Sequence, residues 1–155
     1  MAIEKVREFF KKLDMDNEIK EFEESCATVE LAASAIGCKQ GRIAKTLSFK
    51  LSDKALLIVT AGDTKIDNAK YKAQFHEKAR MLSAFEVEPL IGHAVGGVCP
   101  FGINKGIDVY LDISLKRFNK VYPACGSSNS VIELSLEDLE KFSNSKSWVN
   151  VCKMS

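Results

Sequence analysis

A few groups of residues in this 155-residue chain are of types that can do chemistry. The first is Lys45, which closes the stretch Gly37-Cys38-Lys39-Gln40-Gly41-Arg42-Ile43-Ala44-Lys45 where a turn or short helix hands over to a strand. A lysine at the mouth of a sheet can put its ammonium into a pocket while its stem packs on apolar neighbours. The plainer account is a solvated strand-edge lysine. The second is Gly96-Gly97-Val98-Cys99-Pro100. Its glycines let a ligand approach the main chain and Pro100 restricts the loop, so it can offer N–H and C=O groups to a small substrate or serve as a wide structural turn. Cys99 with His93 suggests a thiol nucleophile and its base, but no local signature accompanies them and no third, orienting group is evident. Asp108 with Asp112, and Glu133 with Asp138, could be acid–base pairs; strand alternation and helix capping account for them more simply.

The elements that must position these groups follow from periodicity. Ile3, Val6, Phe9, Phe10 and Leu13 predict an amphipathic first helix, and Ile19 with Phe22 a short strand. Thr28 caps a helix over residues 29–36 that Gly37 closes. Residues 44–60 read as a central hairpin around Ser52-Asp53-Lys54, its second strand buried on both faces. Residues 61–67 read as a polar loop ending in Asp67, the cap of a helix over 68–75. Ser83 with Glu86 predicts a capped helix over 84–91, and Ser135 with Asp138 another over 136–142. Further strands are expected at Val109 to Ile113, 121–124, 131–134 and 148–152, with a short turn or helix over 114–118. Glycine-bearing polar loops span 37–45, 92–102 and 124–130, where sites usually sit. The expected fold is a single α+β domain over 1–155, a curled, mixed, largely antiparallel sheet or barrel surrounded by helices.

Composition narrows the function. Hydrophobic residues at 46% and charged residues at 28% describe an ordinary soluble protein, and neither a signal peptide nor a membrane span is evident, so a cytoplasmic location is expected. Five cysteines (Cys26, Cys38, Cys99, Cys125, Cys152) without a C-x-x-C pair argue against a disulfide framework or zinc site. With only His76 and His93 besides, neither a metal nor a cofactor is expected. Net charge is −4 over residues 1–36, +6 over 37–80 and −1 over 81–155. The basic middle fits a local anion contact, or two solvated elements, better than a wrapped nucleic acid.

Five blocks occur in order with fitting gaps: Thr28-Val29-Glu30-Leu31-Ala32-Ala33, Ile43-Ala44-Lys45-Thr46-Leu47-Ser48-Phe49, Ala61-Gly62-Asp63, Gly96-Gly97-Val98-Cys99-Pro100-Phe101-Gly102 and Ile132-Glu133-Leu134-Ser135. Together they resemble the YbaK/EbsC family, free-standing relatives of the editing domain inserted in bacterial-type prolyl-tRNA synthetases. The resemblance runs from about residue 20 to the C-terminus. It implies a trans-editing deacylase that hydrolyses a small amino acid from a mischarged, prolyl-type tRNA. Its central lysine falls on Lys45 and its G-x-x-x-P loop on Gly96 and Pro100, the implied catalytic set. Phe22, Thr46, Gly97, Val98, Cys99, Gly126, Ser127 and Ser128 would contact substrate. Lys39, Arg42, Lys65, Lys70 and Lys72 would steer the tRNA acceptor end, with a synthetase as a second partner. Some members carry an acidic residue where this chain has Val131, others a histidine near Ser127 or Ser128, departures that bear on amino-acid specificity. A non-catalytic module of the same fold, binding a tRNA end or a synthetase, is the alternative.

Overall fold

The computed structural model describes residues 2–155. Helix α1 (Ala2–Lys11) buries Val6 and Phe10, and the Phe10 ring meets Phe101 edge-on at 4.9 Å. Strand β1 (Ile19–Glu21) follows, then α2 (Val29–Ile36). Thr28 accepts the Leu31 N–H at its start, and Gly37 closes it at φ +82°. The hairpin β2 (Ile43–Leu51) and β3 (Lys54–Ala61) turns through Ser52, which takes φ +55°. Beyond it come β4 (Thr64–Ile66), α3 (Asn68–Phe75), α4 (Ala84–Ile91), β5 (Asp108–Asp112) and β6 (Lys120–Pro123). The chain ends with β7 (Ser130–Ile132), β8 (Leu134–Ser135), α5 (Leu136–Ser143), β9 (Ser147–Val149) and β10 (Cys152–Met154).

Six strands form one mixed sheet in the order β8-β6-β2-β3-β5-β9, with β1-β7 and β10-β4 as separate antiparallel pairs. The β2–β3 and β6–β8 pairs are antiparallel; β2–β6, β3–β5 and β5–β9 are parallel. Strand β3 is buried on both faces, as its run of apolar residues predicts. Leu57, Val59 and Ala61 enter a large core with Phe10, Phe101, Leu111 and Leu139, whereas Leu56 and Ile58 enter a second core with Phe49, Tyr71 and Val151. A smaller cluster joins Ala32 and Ala33 of α2 to Ile43 and Tyr122.

Three expected elements differ. The polar loop over 61–67 contains β4, because Thr64 is drawn inside and its neighbours pair with β10. The expected strand over 131–134 divides, β7 pairing with β1 and β8 with β6. The expected strand over 148–152 also divides, where the Val151 N–H leaves the ladder to donate to Asp112 Oδ1 (2.8 Å). Asp112 is almost wholly buried, and its other oxygen accepts the Ser114 N–H (2.9 Å).

Asp112 therefore accepts from two main-chain donors, the Ser114 and Val151 N–H groups. Asp112→Ala is expected to destabilise the protein by at least about 2 kcal/mol, since each orphaned donor costs about 1–3. Urea unfolding should show a lower midpoint for Asp112→Ala than for Asp112→Asn, which keeps one oxygen.

Candidate active site

A gap along one edge of β2 opens onto a cavity. One side of β2 pairs with β3 from Ala44 to Leu51, but on the other side β6 meets only Ile43 and Ala44. Farther along, the Leu82 N–H donates to Ser48 O (3.1 Å) and the Lys50 N–H to Arg80 O (2.8 Å). Main-chain groups of alternate strand residues point to the same edge. Thr46, between those contacts, therefore turns its N–H and C=O into the gap. A cavity of about 460 Å³ occupies this place. Its walls include Val29 and Ala32 of α2, Ala44, Lys45 and Thr46 of β2, Leu82 and Val87, Gly96 and Val98, and Tyr122, Ala124 and Val131. Lys45 is the one charged side chain among the residues lining it; none is an aspartate, glutamate or histidine.

Lys45 is partly buried, and its ammonium donates to the main-chain oxygen of Thr64. Burial pulls its pKa below the ordinary lysine value, with Cys152 and the Asp63 carboxylate acting in the opposite sense. The lysine is thus not the solvated strand-edge residue of the plainer account. Lys45 shares the cavity lining with Gly96 and Val98, and its amine is held by the Thr64 carbonyl of β4.

That anchoring side is closely built. A Cβ on Gly62 would stand 2.2 Å from Gln40 O, and one on Gly41 would stand 2.8 Å from Asp63 Oδ2. At Gly62 the obstacle is main chain and only bare backbone fits, whereas a side chain at Gly41 would have to displace the Asp63 carboxylate and the Phe118 ring. Asp63 takes both arms of the Arg117 guanidinium, at 2.9 and 2.5 Å. The Arg117 hydrogen bond holds the Asp63 carboxyl below the usual carboxylate range.

Across the cavity, Gly96 takes φ +93°, and a Cβ there would lie 3.5 Å from Ala27 and 3.6 Å from Ser128. A Cβ on Gly97 would lie 2.6 Å from Ser127 N, so the two glycine-bearing loops rest directly on each other. Ser127 Oγ reaches Ser130 Oγ (2.6 Å), and Phe22 and Asn129 exchange two hydrogen bonds of 2.8 Å. Of the residues singled out from the sequence, Lys45, Thr46, Gly96 and Val98 line the cavity. Phe22, Gly97, Cys99, Pro100, Gly126, Ser127 and Ser128 do not.

Cys99 and His93 do meet, with Sγ 3.5 Å from Nε2, but both are fully buried. Nε2 also lies 2.6 Å from Phe101 O, which can only accept, so this nitrogen carries the hydrogen and cannot take the thiol proton. Burial pushes the Cys99 thiol up to about 12 and the His93 imidazole down. The pair is structural.

The five expected tRNA-contacting cations lie outside the cavity. Lys39 and Arg42 line a separate groove of about 580 Å³ with Ile36, Phe118 and Tyr122. Lys65 and Lys72 are exposed on β4 and α3, and the Lys70 ammonium donates to Cys152 O (2.9 Å). The walls supplied by Leu82, Val87, Tyr122 and Ala124 were missed in the sequence because such residues also build cores. Thr64, the lysine's anchor, directly follows the Ala61-Gly62-Asp63 block, the signal that pointed nearest to it. Among the described residues, no cluster of three or more His, Cys, Asp or Glu side chains could hold a metal ion, and no helix is long and apolar enough to cross a membrane.

The model of the aminoacyl-tRNA editing domain matches residues 23–142. The chain belongs to that family. It is 54% identical to uncharacterized protein YwhH of Bacillus subtilis (strain 168), over 99% of this chain and 98% of that protein. It is 30% identical to the proline–tRNA ligase of Caldicellulosiruptor bescii over 73% of this chain, spanning only 20% of the ligase. Among solved structures, a protein supposed to be a trans-editing enzyme for prolyl tRNA synthetase superposes with a TM-score of 0.88 at 25% identity, over 98% of this chain and 97% of that one. Hypothetical protein APE2540 gives 0.85 at 27% identity, over 96% and 99%. The mixed, curled sheet with helices around it is therefore the fold of this family.

Two outcomes follow from the site's chemistry. Alkylation of the folded protein should label the partly buried Cys26 and Cys38 and spare Cys99 and Cys125 until unfolding, as mass spectrometry of the peptides would record. The Asp63 carboxyl, depressed in the folded state, stabilises the fold fully above its unfolded pKa of about 3.9, and that contribution is lost as pH falls through the folded value. Arg117→Ala should raise the Asp63 titration midpoint seen by carboxyl NMR and make acid unfolding begin at higher pH.

Proposed function

We propose that the protein is a trans-editing deacylase that hydrolyses the ester of a prolyl-type tRNA wrongly carrying a small amino acid. The observation that carries this reading is one cavity lined by a partly buried lysine, an unpaired strand edge and a glycine loop, with no carboxylate or imidazole among its lining residues. An aminoacyl ester is already activated, so its hydrolysis needs a positioned water and stabilisation of the developing oxyanion, without a covalent nucleophile. The Lys45 ammonium exchanges the Thr64 carbonyl for the ester carbonyl or the adjoining phosphate. The main chain of the Gly96 loop and the open edge at Thr46 hold the substrate's ammonium. With no protein base in the lining, a hydroxyl of the substrate's own ribose activates the water. Val29, Ala32, Val98, Ala124 and Val131 give the amino-acid end an aliphatic surround that favours a small, uncharged side chain and makes the cavity a sieve. Likeness to proline–tRNA ligases and to a supposed trans-editing enzyme supports prolyl-type tRNA and a synthetase as partners.

One observation favours a second reading: the Lys45 ammonium is already engaged by Thr64. A module that binds a tRNA end without turnover would leave it there.

A panel of misacylated tRNAs separates the two. Release of at least one small amino acid is expected, and Lys45→Ala should slow it by about 100-fold or more. Cys99→Ser should leave the rate unchanged. Binding without release from any member of the panel would establish the non-catalytic reading.

A further inference from the structure

Two further hollows border the cavity, and their charges are opposite. One shares Thr28 and Val29 with it and is lined by Glu30 and Asp63 as well. The other is the groove of about 580 Å³ that holds Lys39 and Arg42. It shares Tyr122 with the cavity and has no carboxylate among its lining residues. Helix α2 links cavity and groove. Val29 and Ala32 line the first and Ile36 the second, all on one helix face because they are three and four residues apart. At 1.5 Å per residue, the step from Val29 to Ile36 is about 10 Å. Both pack on the same buried cluster of Ala32, Ala33, Ile43 and Tyr122.

The cations of the groove have no acidic partner. Arg42 Nε donates to Lys120 O (3.3 Å), and among the described residues neither Arg42 nor Lys39 is ion-paired with a carboxylate. Glu133, whose carboxylate feels the Arg42 charge, is engaged by the Tyr122 hydroxyl (2.5 Å) and by Lys120 (3.8 Å). Other cations around the cavity are taken: Lys50 by Glu86 (3.5 Å), Arg80 by Glu77 (3.8 Å) and Arg117 by Asp63.

An aminoacyl ester ends a single RNA strand with a phosphate on every nucleotide. Once the ester is in the cavity, the strand must leave over a neighbouring wall. Glu30 and Asp63 repel it on one side, and the cations near residues 80–86 are already paired. We propose that the groove of Lys39 and Arg42 is the exit path of the acceptor strand, its two cations holding phosphates of the CCA end while Tyr122 separates them from the ester. This rests on the deacylase reading for what enters the cavity.

The test uses an RNA acceptor microhelix ending in CCA, not acylated, so that binding is read without turnover. Anisotropy titrations should give at least about ten-fold weaker binding for Lys39→Ala/Arg42→Ala. The slope of log Kd against log salt should fall by about 1.4, the share of two single-strand phosphates. Lys39→Arg/Arg42→Lys keeps both charges and should restore affinity and slope. Lys12→Ala/Lys105→Ala, which removes two exposed lysines outside cavity and groove, should leave both near wild type. A neutral methylphosphonate in the CCA end should weaken wild-type binding without weakening Lys39→Ala/Arg42→Ala further. On the misacylated microhelix the loss should appear in KM, while hydrolysis of an aminoacyl adenosine, which keeps the ribose ester and has no phosphate, stays unchanged. Equal affinity and slope in wild type and Lys39→Ala/Arg42→Ala would overturn the exit path and leave the deacylase reading intact. Full methylphosphonate sensitivity in that variant would also overturn it. Groove-dependent binding without ester hydrolysis would uphold the path and overturn the deacylase reading. Loss of synthetase capture by that variant, with RNA binding unchanged, would overturn the path in favour of protein docking.

Discussion

The site depends on a strand that is paired on one side and unfinished on the other. β2 is held by β3 from Ala44 to Leu51, while its far edge is covered at one end by β6 and at the other by residues 80–82. Main-chain donors and acceptors left unpaired away from bulk water are costly, so such a gap is kept only where something else satisfies it. Thr46 also keeps a side-chain oxygen shielded from solvent with no hydrogen-bond partner. The cavity is therefore a place where the protein's own hydrogen bonding is incomplete.

Lys45 obeys the same constraint. A lysine on the face of a buried strand must find an acceptor or lose its charge. Here the acceptor is the Thr64 carbonyl, and burial of the ammonium is what lowers its pKa. The surroundings of that carbonyl are rigid. The Asp63–Arg117 pair, the close approaches at Gly41 and Gly62 and the β4–β10 pairing all fix the segment that carries it. On the opposite wall, Gly97 lets two loops share a surface without side chains between them. Charge is confined to one anchored amine, and most of the remaining wall is apolar.

Much of the fold was legible in the chain. Helix caps were the clearest case: Thr28, Asp67 and Ser135 each accept main-chain N–H groups where their positions predict, and Gly37 closes α2 in the left-handed conformation. These are interactions within four residues, which local sequence determines. The elements that differed, β4 and the divided strands at both ends of α5, depend on pairing across long separations or on a buried carboxylate. No local pattern encodes either. Site residues divide the same way. Lys45 and Gly96 stood out by type and setting, whereas Leu82, Val87 and Ala124 look like any core residue until the gap in β2 exposes them to a cavity.

Residue order alone determined the amphipathic helices, the central hairpin and the family blocks, because these are written in periods of two and 3.6 and in short ordered motifs. Tertiary structure decided which groups meet. It buried Cys99 against His93 as a structural contact, turned the Lys45 amine to Thr64, and brought four distant segments around one uncovered strand edge. Burial and partner choice are properties of the packed whole, and they set whether a nucleophile, a cation or an open main-chain group is available for chemistry.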